Sequence, residues 1–572
     1  MMKTQDLEQV LDIVGKTKLD DKQRRFIDHW LVNFPTDELI GRKPENIAGW
    51  LVDLALQSSI KEPHLRVYNP TIEREGWQAN NSIITLNWPD LPFLVDTLRI
   101  ALDTHGIEVR MLHSHVSQSE SPRCFMYVEV GRRERVDEIE VITESLRVAI
   151  STVESVVDAF PAIIDKVESV SNAHKAKDAR TYEFLEWLRR EHFIFLGYSR
   201  WQDCSITDCL GVTTTLTEES DDDLTNRNIL AEGESIAFTK SSSRSLVHRH
   251  VYSDYVVVRD AGDPSIEHRF LGLFTSSTYH ESPQNIPVIR EKVDYVLDRV
   301  KVPTTSHDGK VLRQLLSNYP TDEFFHATPE ELYTGVNRAL RLQERPIVRV
   351  VIRRGRMGRF VSCIVYVPRE RYTTELRKNI QRFLCDELDA VDSEFNTFFS
   401  GSNHARVRFI LRTTSADSRD IDLAWLENTI LDMCREWPDR LRDTLCETLG
   451  DEQGSRLASL YQGAFPAAYR EDYDTRFAAQ DIVTIDKVAM DQSLAVHFYR
   501  SVVDESEHAR FRVFRFDAPL ELSDVLPKFE NLGLRVIGER PYEVERRDQE
   551  MIWLHDFYIR VTGVSNEDID SR

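Results

Sequence analysis

The sequence contains little glycine and proline and no long apolar run. Its 572 residues include 22 glycines and 21 prolines, a combined share well below the usual value of about 12%. This composition excludes collagen-like, linker-rich and low-complexity architectures. No apolar stretch approaches the roughly 20 residues that span a bilayer, and the opening residues MMKTQDLEQV contain no signal-peptide core. We therefore expect a cytoplasmic chain of mostly regular structure that does not bind a membrane.

Positive charge is also scarce. The chain has 72 lysines and arginines against 95 acidic residues, which gives a formal net charge of −23. A surface that binds nucleic acid normally needs a net cationic field, so we expect no nucleic-acid partner. The length predicts roughly three to six domains.

Metal-binding patterns are weak. The seven cysteines form no Cys-x-x-Cys pair, which favours reduced thiols over a disulfide framework or a zinc site. His113 and His115 alternate along a predicted strand, as do His248 and His250, and each pair could bind a metal ion. Half-buried polar strand residues are the favoured interpretation, and His555 is interpreted as a core histidine because it alternates with Trp553 and Phe557.

Common catalytic motifs are missing as well. The sequence contains no Gly-x-Gly-x-x-Gly, no P-loop, no His-Glu-x-x-His and no Gly-x-Ser-x-Gly. The usual dinucleotide, phosphotransferase, zinc-protease and serine-hydrolase interpretations therefore have no support. One enzyme hypothesis remains open for residues 181–300, where His248 and His250 would converge with Cys204 or Cys209.

Two internal repeats organise the chain. Asn33-Phe-Pro-Thr-Asp-Glu recurs as Asn318-Tyr-Pro-Thr-Asp-Glu, and each copy is followed by Pro-Glu at the same distance, Pro44 and Pro329. Hydroxyl, acidic and proline residues at these positions predict the starts of short helices.

The second repeat predicts a strand, helix, strand, strand unit. Asp90 and Asp517 are each interpreted as the cap of an amphipathic helix, and Gly106 and Gly533 as its left-handed stop. Alternating strands flank both helices, which is typical of a ferredoxin-like split βαβ unit. A third unit, near 347–413, has related content in a different order, with a hairpin before its helix.

Arginines are concentrated on the hairpin of this third unit. Arg349 and Arg353 fall on the strand face opposite its apolar residues. The set is interpreted as a solvated face, as a docking surface for an acidic segment, or as a small-anion site. It comprises Arg349, Arg353, Arg354, Arg356 and Arg359.

Several segments together resemble one known family. The segments Glu191–Tyr198, Glu344–Arg369 and Ala464–Tyr469 are similar to the N-terminal part of the large bacterial NAD-dependent glutamate dehydrogenases. Asn318–Glu323 and Leu554–Phe557 fit the same pattern, and the resemblance is colinear over nearly the whole chain.

The resemblance implies an α+β, multi-domain fold. Its ferredoxin-like, ACT-like βαββ units would be combined with an α+β PAS-like insert and a helical connector. The expected domains are an N-terminal helical segment (1–75), ACT-like domain 1 (76–165), a PAS-like domain (175–305), a helical repeat of the N-terminal segment (306–342), ACT-like domain 2 (343–416), a helical connector (417–500), ACT-like domain 3 (505–563) and a linker or tail (564–572).

ACT domains often bind an amino acid near the turn between their first strand and first helix. That resemblance implies an effector site at Asn87, Asp90, Gly106, Asp517 and Gly533. Pro92 and Pro519 replace the usual glycine of the turn, and proline offers no N–H to a ligand carboxylate, which counts against amino-acid binding there.

These observations lead to the expectation of a non-catalytic regulatory and oligomerisation region. The family enzyme oxidises L-glutamate with NAD and water to 2-oxoglutarate, ammonia and NADH. In this expectation the chain has no catalytic, cofactor or metal residues, NAD binds a catalytic part absent from the chain, and the chain alone is inactive. Its partners would be other copies of itself, that catalytic part and a small amino-acid effector. A free-standing amino-acid sensor is the alternative.

Overall fold

A computed structural model gives the fold of most of the chain. The described residues are 4–32, 34, 41–117, 120–203, 205–214, 228–303, 305–342, 347–399, 403–413, 421–499 and 508–561. They form two compact units, the first from Met1–Tyr366 with Gln381–Asp422 and the second from Val367–Ile380 with Leu423–Arg572.

The first unit begins with a four-stranded antiparallel sheet that is covered on both faces. Its strands are β1 (His64–Tyr68), β2 (Ser82–Pro89), β3 (Val109–Val116) and β4 (Arg123–Val130), in the order β1-β2-β4-β3. The covering helices are α1 (Thr4–Gly15), α2 (Asp21–Val32), α3 (Pro44–Ser58), the short α4 (Ile72–Glu75), α5 (Leu94–Thr104) and α6 (Val136–His174).

Strand alternation explains why both faces of this sheet are covered. Phe125 and Tyr127 of β4 pack with the apolar residues of α1–α3, while Met126 and Val128 point to the other face and pack with α5 and α6. Successive side chains of a strand point to opposite faces, so an apolar run such as β4 must be buried on both.

A five-stranded antiparallel sheet follows in the first unit. Its strands are β5 (Phe193–Gln202), β6 (Ser205–Gly211), β7 (Ile236–Arg244), β8 (Tyr252–Arg259) and β9 (Ile266–Phe274), in the order β6-β5-β9-β8-β7. The helices beside it are α7 (Ala179–Trp187), which continues as a π-helical turn (Leu188–His192), and α8 (Ser276–His280). The second half of α6 packs on this sheet through Ile163, Val167 and Val170, so one helix serves two sheets.

The second four-stranded sheet contains the arginine hairpin. Its strands are β10 (Arg349–Arg354), β11 (Phe360–Pro368), β12 (Ala390–Phe399) and β13 (His404–Thr413), in the order β10-β11-β13-β12. The helices α9 (Ile289–Val300), α10 (His307–Ser317), α11 (Thr321–His326) and α12 (Pro329–Leu340) precede it, and a 3-10 turn (Arg369–Arg371) and α13 (Thr374–Glu387) follow β11.

The second unit contains the third four-stranded sheet. Its strands are β14 (Leu494–Tyr499), β15 (His508–Phe516), β16 (Leu534–Glu545) and β17 (Met551–Val561), in the order β14-β15-β17-β16. Its helices are α14 (Leu423–Cys434), α15 (Trp437–Leu449), α16 (Asp451–Leu460), α17 (Ala467–Asp472), α18 (Thr475–Asp491) and α19 (Leu522–Asn531). Phe514 and Leu554 face α15–α18, whereas Val513 and Phe557 face α19.

The α+β fold of repeated ferredoxin-like units is confirmed, but the expectation of a different order in the third unit is wrong. All three four-stranded sheets have the same order, because β1, β10 and β14 each add an antiparallel strand to the edge of the strand, helix, strand, strand unit. β1 lies within residues 1–75 and β14 within 417–500, two ranges that the sequence pattern predicts as helical.

The predicted helix starts are partly correct. Pro44 and Pro329 begin α3 and α12, and Thr321 begins α11. In the first copy of the motif, Asn33 and residues 35–40 lie outside the described residues. The expected aspartate caps are wrong, since Phe93 and Glu521 occupy the cap positions of α5 and α19 and neither helix has a side-chain cap bond.

Candidate functional site

The first predicted effector turn uses its polar groups within the protein. Asn87 is buried, its amide donates to the carbonyls of Gln57 and Ile60 at 3.0 Å each, and its Oδ1 accepts from Arg123 at 2.6 Å. These bonds tie β2 to the end of α3. Asn87 therefore has a structural role that the sequence pattern does not reveal.

The other predicted effector residues shape the two turns. Gly106 and Gly533 have φ values of 64° and 76°, so they form the expected left-handed stops. Asp517 also has a positive φ of 63°, and its backbone N–H donates to the carbonyl of Met551. The backbone N–H of Asp90 donates to Pro122 in the same way. Amino-acid binding at these turns stays a prediction.

The arginine hairpin lies against acidic residues of the same unit. Arg353 is bound by Glu323 of α11, with 2.8 Å between Nε and Oε2, and its side chain is only 10% exposed. Arg356 is bound by Glu234 at 2.7 Å. The expectation of a solvated face is therefore wrong for Arg353, whereas Arg356 lies at the surface. Docking stays a prediction for the exposed Arg356 and for Arg349, Arg354 and Arg359, which are half-buried.

A buried charge cluster surrounds Glu323. Besides Arg353, Glu323 accepts from Ser362 at 2.6 Å and from Arg408 at 3.2 Å. Its neighbour Asp322 accepts from Arg408 at 2.5 Å and from Tyr279 at 2.8 Å. We call these residues, together with three residues nearby, the α11 cluster. Its members are Tyr279, Asp322, Glu323, Arg353, Ser362 and Arg408, with Lys240, Asp254 and His326.

The α11 cluster extends to the five-stranded sheet. Asp254 of β8 binds the ammonium group of Lys240 at 2.9 Å and His326 Nε2 at 2.8 Å. Three carboxylates thus face three cations in a buried region. Burying charges costs free energy unless they are paired and hydrogen-bonded, and here they are.

The electrostatics of the α11 cluster hold Asp322 and Glu323 ionised. Burial alone would raise the pKa of Glu323, but Arg353 and Arg408 overcome burial and lower this pKa to about 2. The pKa of Asp322 is likewise lowered far below its usual value, because Arg408 and Lys240 outweigh its burial. Burial lowers the pKa of His326 and thereby favours its neutral ring.

The cavity beside the arginine hairpin is small. Lys240, His326, Arg353 and Arg408 line it, and it has about 20 Å³ available to a water molecule, which is room for a water but not for an amino acid. The neighbouring charges already neutralise one another, which counts against a small-anion site in this cavity.

The candidate metal and enzyme residues are dispersed. His113 packs on Trp30 and Phe34, with ring centroids 4.6 and 5.0 Å apart, in the core between the first sheet and α1–α3. His248 and His250 lie in a bend instead of the predicted strand, and His248 faces Asp96 at 3.1 Å. Among the described residues, no group of three or more His, Cys, Asp or Glu side chains could hold a metal ion.

Only six of the seven cysteines lie within the described residues. Cys204 lies outside the described residues. Six cysteines of the described ranges are free thiols, and burial raises the pKa of the Cys209 thiol. His555 is buried as expected: its Nε2 accepts from the Leu520 N–H at 3.0 Å and its Nδ1 donates to Glu539 at 2.6 Å.

Two acids of the α11 cluster belong to the first sequence repeat. Thr321-Asp-Glu323 is part of the first repeat and is interpreted from sequence as a helix start with acids in the first turn. The structure uses the same acids as the centre of a buried ion network. The sequence does contain a signal for this burial, because the repeated acidic pair lies in an apolar context, with Tyr319 before it and Phe324 after it.

The repeated sheet order, with helices on both faces where the packing is described, defines a protein built from ACT-type units. Family models of glutamate dehydrogenase match the chain in colinear order and together cover more than half of it. The matched regions are the ACT1 domain (26–121), helical motif 1 (286–345), the ACT2 domain (349–438), helical motif 2 (444–488) and the ACT3 domain (493–572). The chain belongs to this glutamate dehydrogenase family.

Curated relatives agree with the family models. The chain is 34% identical to the NAD-specific glutamate dehydrogenase of Halomonas elongata over 91% of its own length and 36% of the relative. It is also 34% identical to that of Pseudomonas aeruginosa over 93% and 36%, and 27% identical to that of Mycobacterium tuberculosis over 66% and 24%. The chain thus spans about a third of the length of the relatives it matches most extensively.

The expected assignment as a non-catalytic regulatory and oligomerisation region, or as a free-standing sensor, is wrong. The proteins that match 91% and 93% of the chain are named NAD-specific glutamate dehydrogenases. The match therefore assigns the chain to an enzyme family and does not mark it off as a separate regulatory protein.

Proposed function

We propose that the protein takes part in the NAD-dependent oxidative deamination of L-glutamate to 2-oxoglutarate and ammonia. The observation that carries this proposal is the colinear match of three ACT domains and two helical motifs of glutamate dehydrogenase. The names of the relatives, each an NAD-specific glutamate dehydrogenase, support it.

NAD is the cofactor of the proposed reaction, but the arginine hairpin does not fit it. Guanidinium groups such as Arg353 and Arg356 suit a pyrophosphate, yet both are paired with carboxylates and the adjoining cavity holds only a water. We propose that the ACT-type units and their helical motifs do not hold the dinucleotide. Calorimetric titration of the chain with NAD tests this, and saturable binding at micromolar NAD would contradict it.

The glutamate reaction itself is tested on the native protein. An antibody against residues 421–499 would isolate the protein from its source cells, and NADH formation from L-glutamate and NAD would be followed by absorbance. We expect activity with NAD and L-glutamate, and much less with NADP or L-aspartate. A purified protein without glutamate-dependent NADH formation would overturn the proposal, as would unchanged cellular activity after disruption of its gene.

Three further properties are proposed with this function. The five-stranded unit is PAS-like, since its antiparallel sheet is flanked by helices and lies in sequence between two ACT-type units. The protein is cytoplasmic, which suits the free thiols of the described cysteines. It associates with copies of itself and binds neither nucleic acid nor membranes, in keeping with its charge of −23.

None of the described helices combines the length with the apolar character that a bilayer-spanning segment needs.

A further inference from the structure

A buried arginine of the second four-stranded sheet lacks a carboxylate partner among the described residues. Arg406 lies on β13 and is only 7% exposed, and its Nε has no hydrogen-bond acceptor within the described part of the chain. Burial lowers the pKa of this guanidinium, and the groups that act on it next are the phenols of Tyr366 and Tyr319 and the cation Arg408. A buried cation without a counter-charge costs free energy.

The α11 cluster lies beside this guanidinium but has no negative charge to spare. Its three carboxylates are matched by three cations that are bound to them. Glu323, for example, binds both Arg353 and Arg408. Arg406 therefore adds one positive charge that the cluster does not compensate.

The Tyr366 hydroxyl is a second polar group that lacks a partner. Tyr366 lies on β11, the neighbour of β13 in the sheet, and is 5% exposed, and no group among the described residues forms a hydrogen bond with its hydroxyl. Burial raises the pKa of Tyr366 to about 12, and Arg406 acts against this rise, which indicates that the guanidinium lies close to the phenol. The hydroxyl therefore keeps its proton near neutral pH and can donate it to a ligand.

Two further aromatic residues surround the guanidinium. Tyr319 follows α10 and packs in the same apolar core as Tyr366. Burial raises the pKa of the Tyr319 phenol, and Arg406 again opposes the rise. The Arg406 guanidinium also lies over the Phe398 ring, 4.6 Å from its centroid. Stacking of this kind uses the face of the guanidinium and leaves the N–H groups in its plane for an acceptor.

The charge and the depth of this place select the ligand. A water molecule would accept the hydrogen bonds of Arg406 and Tyr366 but would leave the positive charge uncompensated, and a dianion would overcompensate it. Donors that are so deeply buried suit an ion close to the size of a water molecule better than a polyatomic ion. We propose that Arg406 and Tyr366, with Tyr319 beside them, bind a chloride ion.

The proposed chloride site is separate from the cavity beside the arginine hairpin, because Arg406, Tyr366 and Tyr319 do not line that cavity. Phe398, on the edge strand β12, is 43% exposed and gives the ion a short route from solvent. The site is also independent of the glutamate dehydrogenase reaction, since its test contains neither glutamate nor NAD. The two proposals can therefore fail separately.

The test is thermal unfolding of the 572-residue chain while sodium chloride replaces sodium gluconate at constant ionic strength. Gluconate is too large for the site, so a general effect of salt stays the same throughout the series. We expect chloride to raise the Tm by a few degrees and then to saturate, because a ligand that binds only the folded state stabilises it. Bromide should act in the same way.

Three variants locate the site. Arg406→Gln should lose the rise with chloride, and in gluconate it should be at least as stable as the wild type, because the cost of a buried uncompensated cation is gone. Tyr366→Phe should weaken chloride binding roughly tenfold through loss of one donor. Tyr295→Phe is the matched control, since it removes a hydroxyl that binds Glu330 at the surface, and it should keep the full rise.

Crystals soaked in sodium bromide give the position of the ion, and we expect an anomalous peak beside Arg406 Nε and the Tyr366 hydroxyl. The proposal is overturned if the Tm does not respond to chloride at constant ionic strength, if Tyr366→Phe responds as fully as Tyr295→Phe, or if bromide is absent from this place. Should Arg406→Gln fail to fold, the two tyrosine variants and the bromide position decide the question without it.

Discussion

At the residue scale, the first unit is organised by ionised groups in an apolar interior. The α11 cluster joins side chains from the five-stranded sheet, from α11 and from the second four-stranded sheet. Each carboxylate has at least two donors, so the cluster fixes a single mutual arrangement of these elements. Removing Glu323 would take from the buried Arg353 the carboxylate that it binds.

Glu323→Gln should destabilise the first unit. The neutral amide cannot compensate Arg353 and Arg408, and breaking a buried ion pair typically costs about 3 to 5 kcal/mol. The measurement is the free energy of unfolding in denaturant, monitored on the first unit. Glu330→Gln in the neighbouring α12 is the matched control, since the Glu330 side chain is 55% exposed and binds only at the surface. Equal effects of the two substitutions would contradict the structural role of Glu323.

The same group predicts a dependence of stability on pH. The pKa of Glu323 is 4.5 in its ordinary environment and about 2 in the folded protein, so the folded state binds the proton less readily than the unfolded state. Ionised Glu323 therefore contributes on the order of 3 kcal/mol to the free energy of unfolding. This contribution is fully present above pH 4.5 and is lost as the pH falls toward 2. Unfolding followed across this window should show a shallower slope for Glu323→Gln than for the wild type, and parallel slopes would refute the assignment.

Sequence reasoning reached some of these residues but not their environment. The repeat made Asp322 and Glu323 visible, and the strand pattern placed Arg353 opposite the apolar side of β10. Neither observation could show that α11 lies over the arginine side of β10, because the contact between Arg353 and Glu323 joins residues 30 positions apart. Asn87 was missed as a structural residue for the same reason, since its partners Gln57 and Ile60 belong to α3 and the loop after it.

At the scale of elements, the ferredoxin-like units were predictable and their added edge strands were not. Strands with clear alternation, such as β4 and β17, and helices that end at Gly106 and Gly533 carry local signals. β1 and β14 have five and six residues and follow helical segments, so their strand character comes from pairing with β2 and β15. Short strands of this kind depend on a partner and not on local propensity.

Helix packing in the second unit depends on a glycine. Gly454 of α16 faces the backbone of α15, and a Cβ atom there would lie 2.5 Å from Cys446 Cα. Gly454→Ala should therefore force the helices apart and destabilise the second unit by about 1 to 3 kcal/mol, despite the better helix propensity of alanine. Thermal unfolding is the measurement.

Gly15→Ala supplies the control for this packing argument. Gly15 ends α1, and a Cβ atom there would meet nothing within 4 Å. Alanine at this position should be neutral or slightly stabilising. A stable Gly454→Ala protein would show that the α15–α16 contact relaxes without cost.

At the scale of the whole molecule, two of the sheets pack against helices on both faces. The first sheet packs α1–α3 on one face and α5 with α6 on the other, and the third packs α15–α18 and α19. A ferredoxin-like unit alone would leave one sheet face open, and this face is covered by α1–α3 in the first sheet and by α15–α18 in the third. One row of exposed apolar side chains lies at a sheet edge, where strand β14 presents Leu494, Val496 and Phe498 at 53%, 51% and 43% exposure.

This edge leads to the prediction on self-association. β14 is the end strand of its sheet, and within the described residues it pairs only with β15. An apolar edge strand is a template for pairing with another copy, whereas a lysine on such an edge blocks pairing. Sedimentation should show dimers or larger species at micromolar concentration, and Val496→Lys should shift them toward monomer with little change in Tm. Val148→Lys on α6, where Val148 is 50% exposed, should leave the assembly unchanged. A strict monomer throughout this range, or an assembly that Val496→Lys leaves intact, would rule out association through this edge.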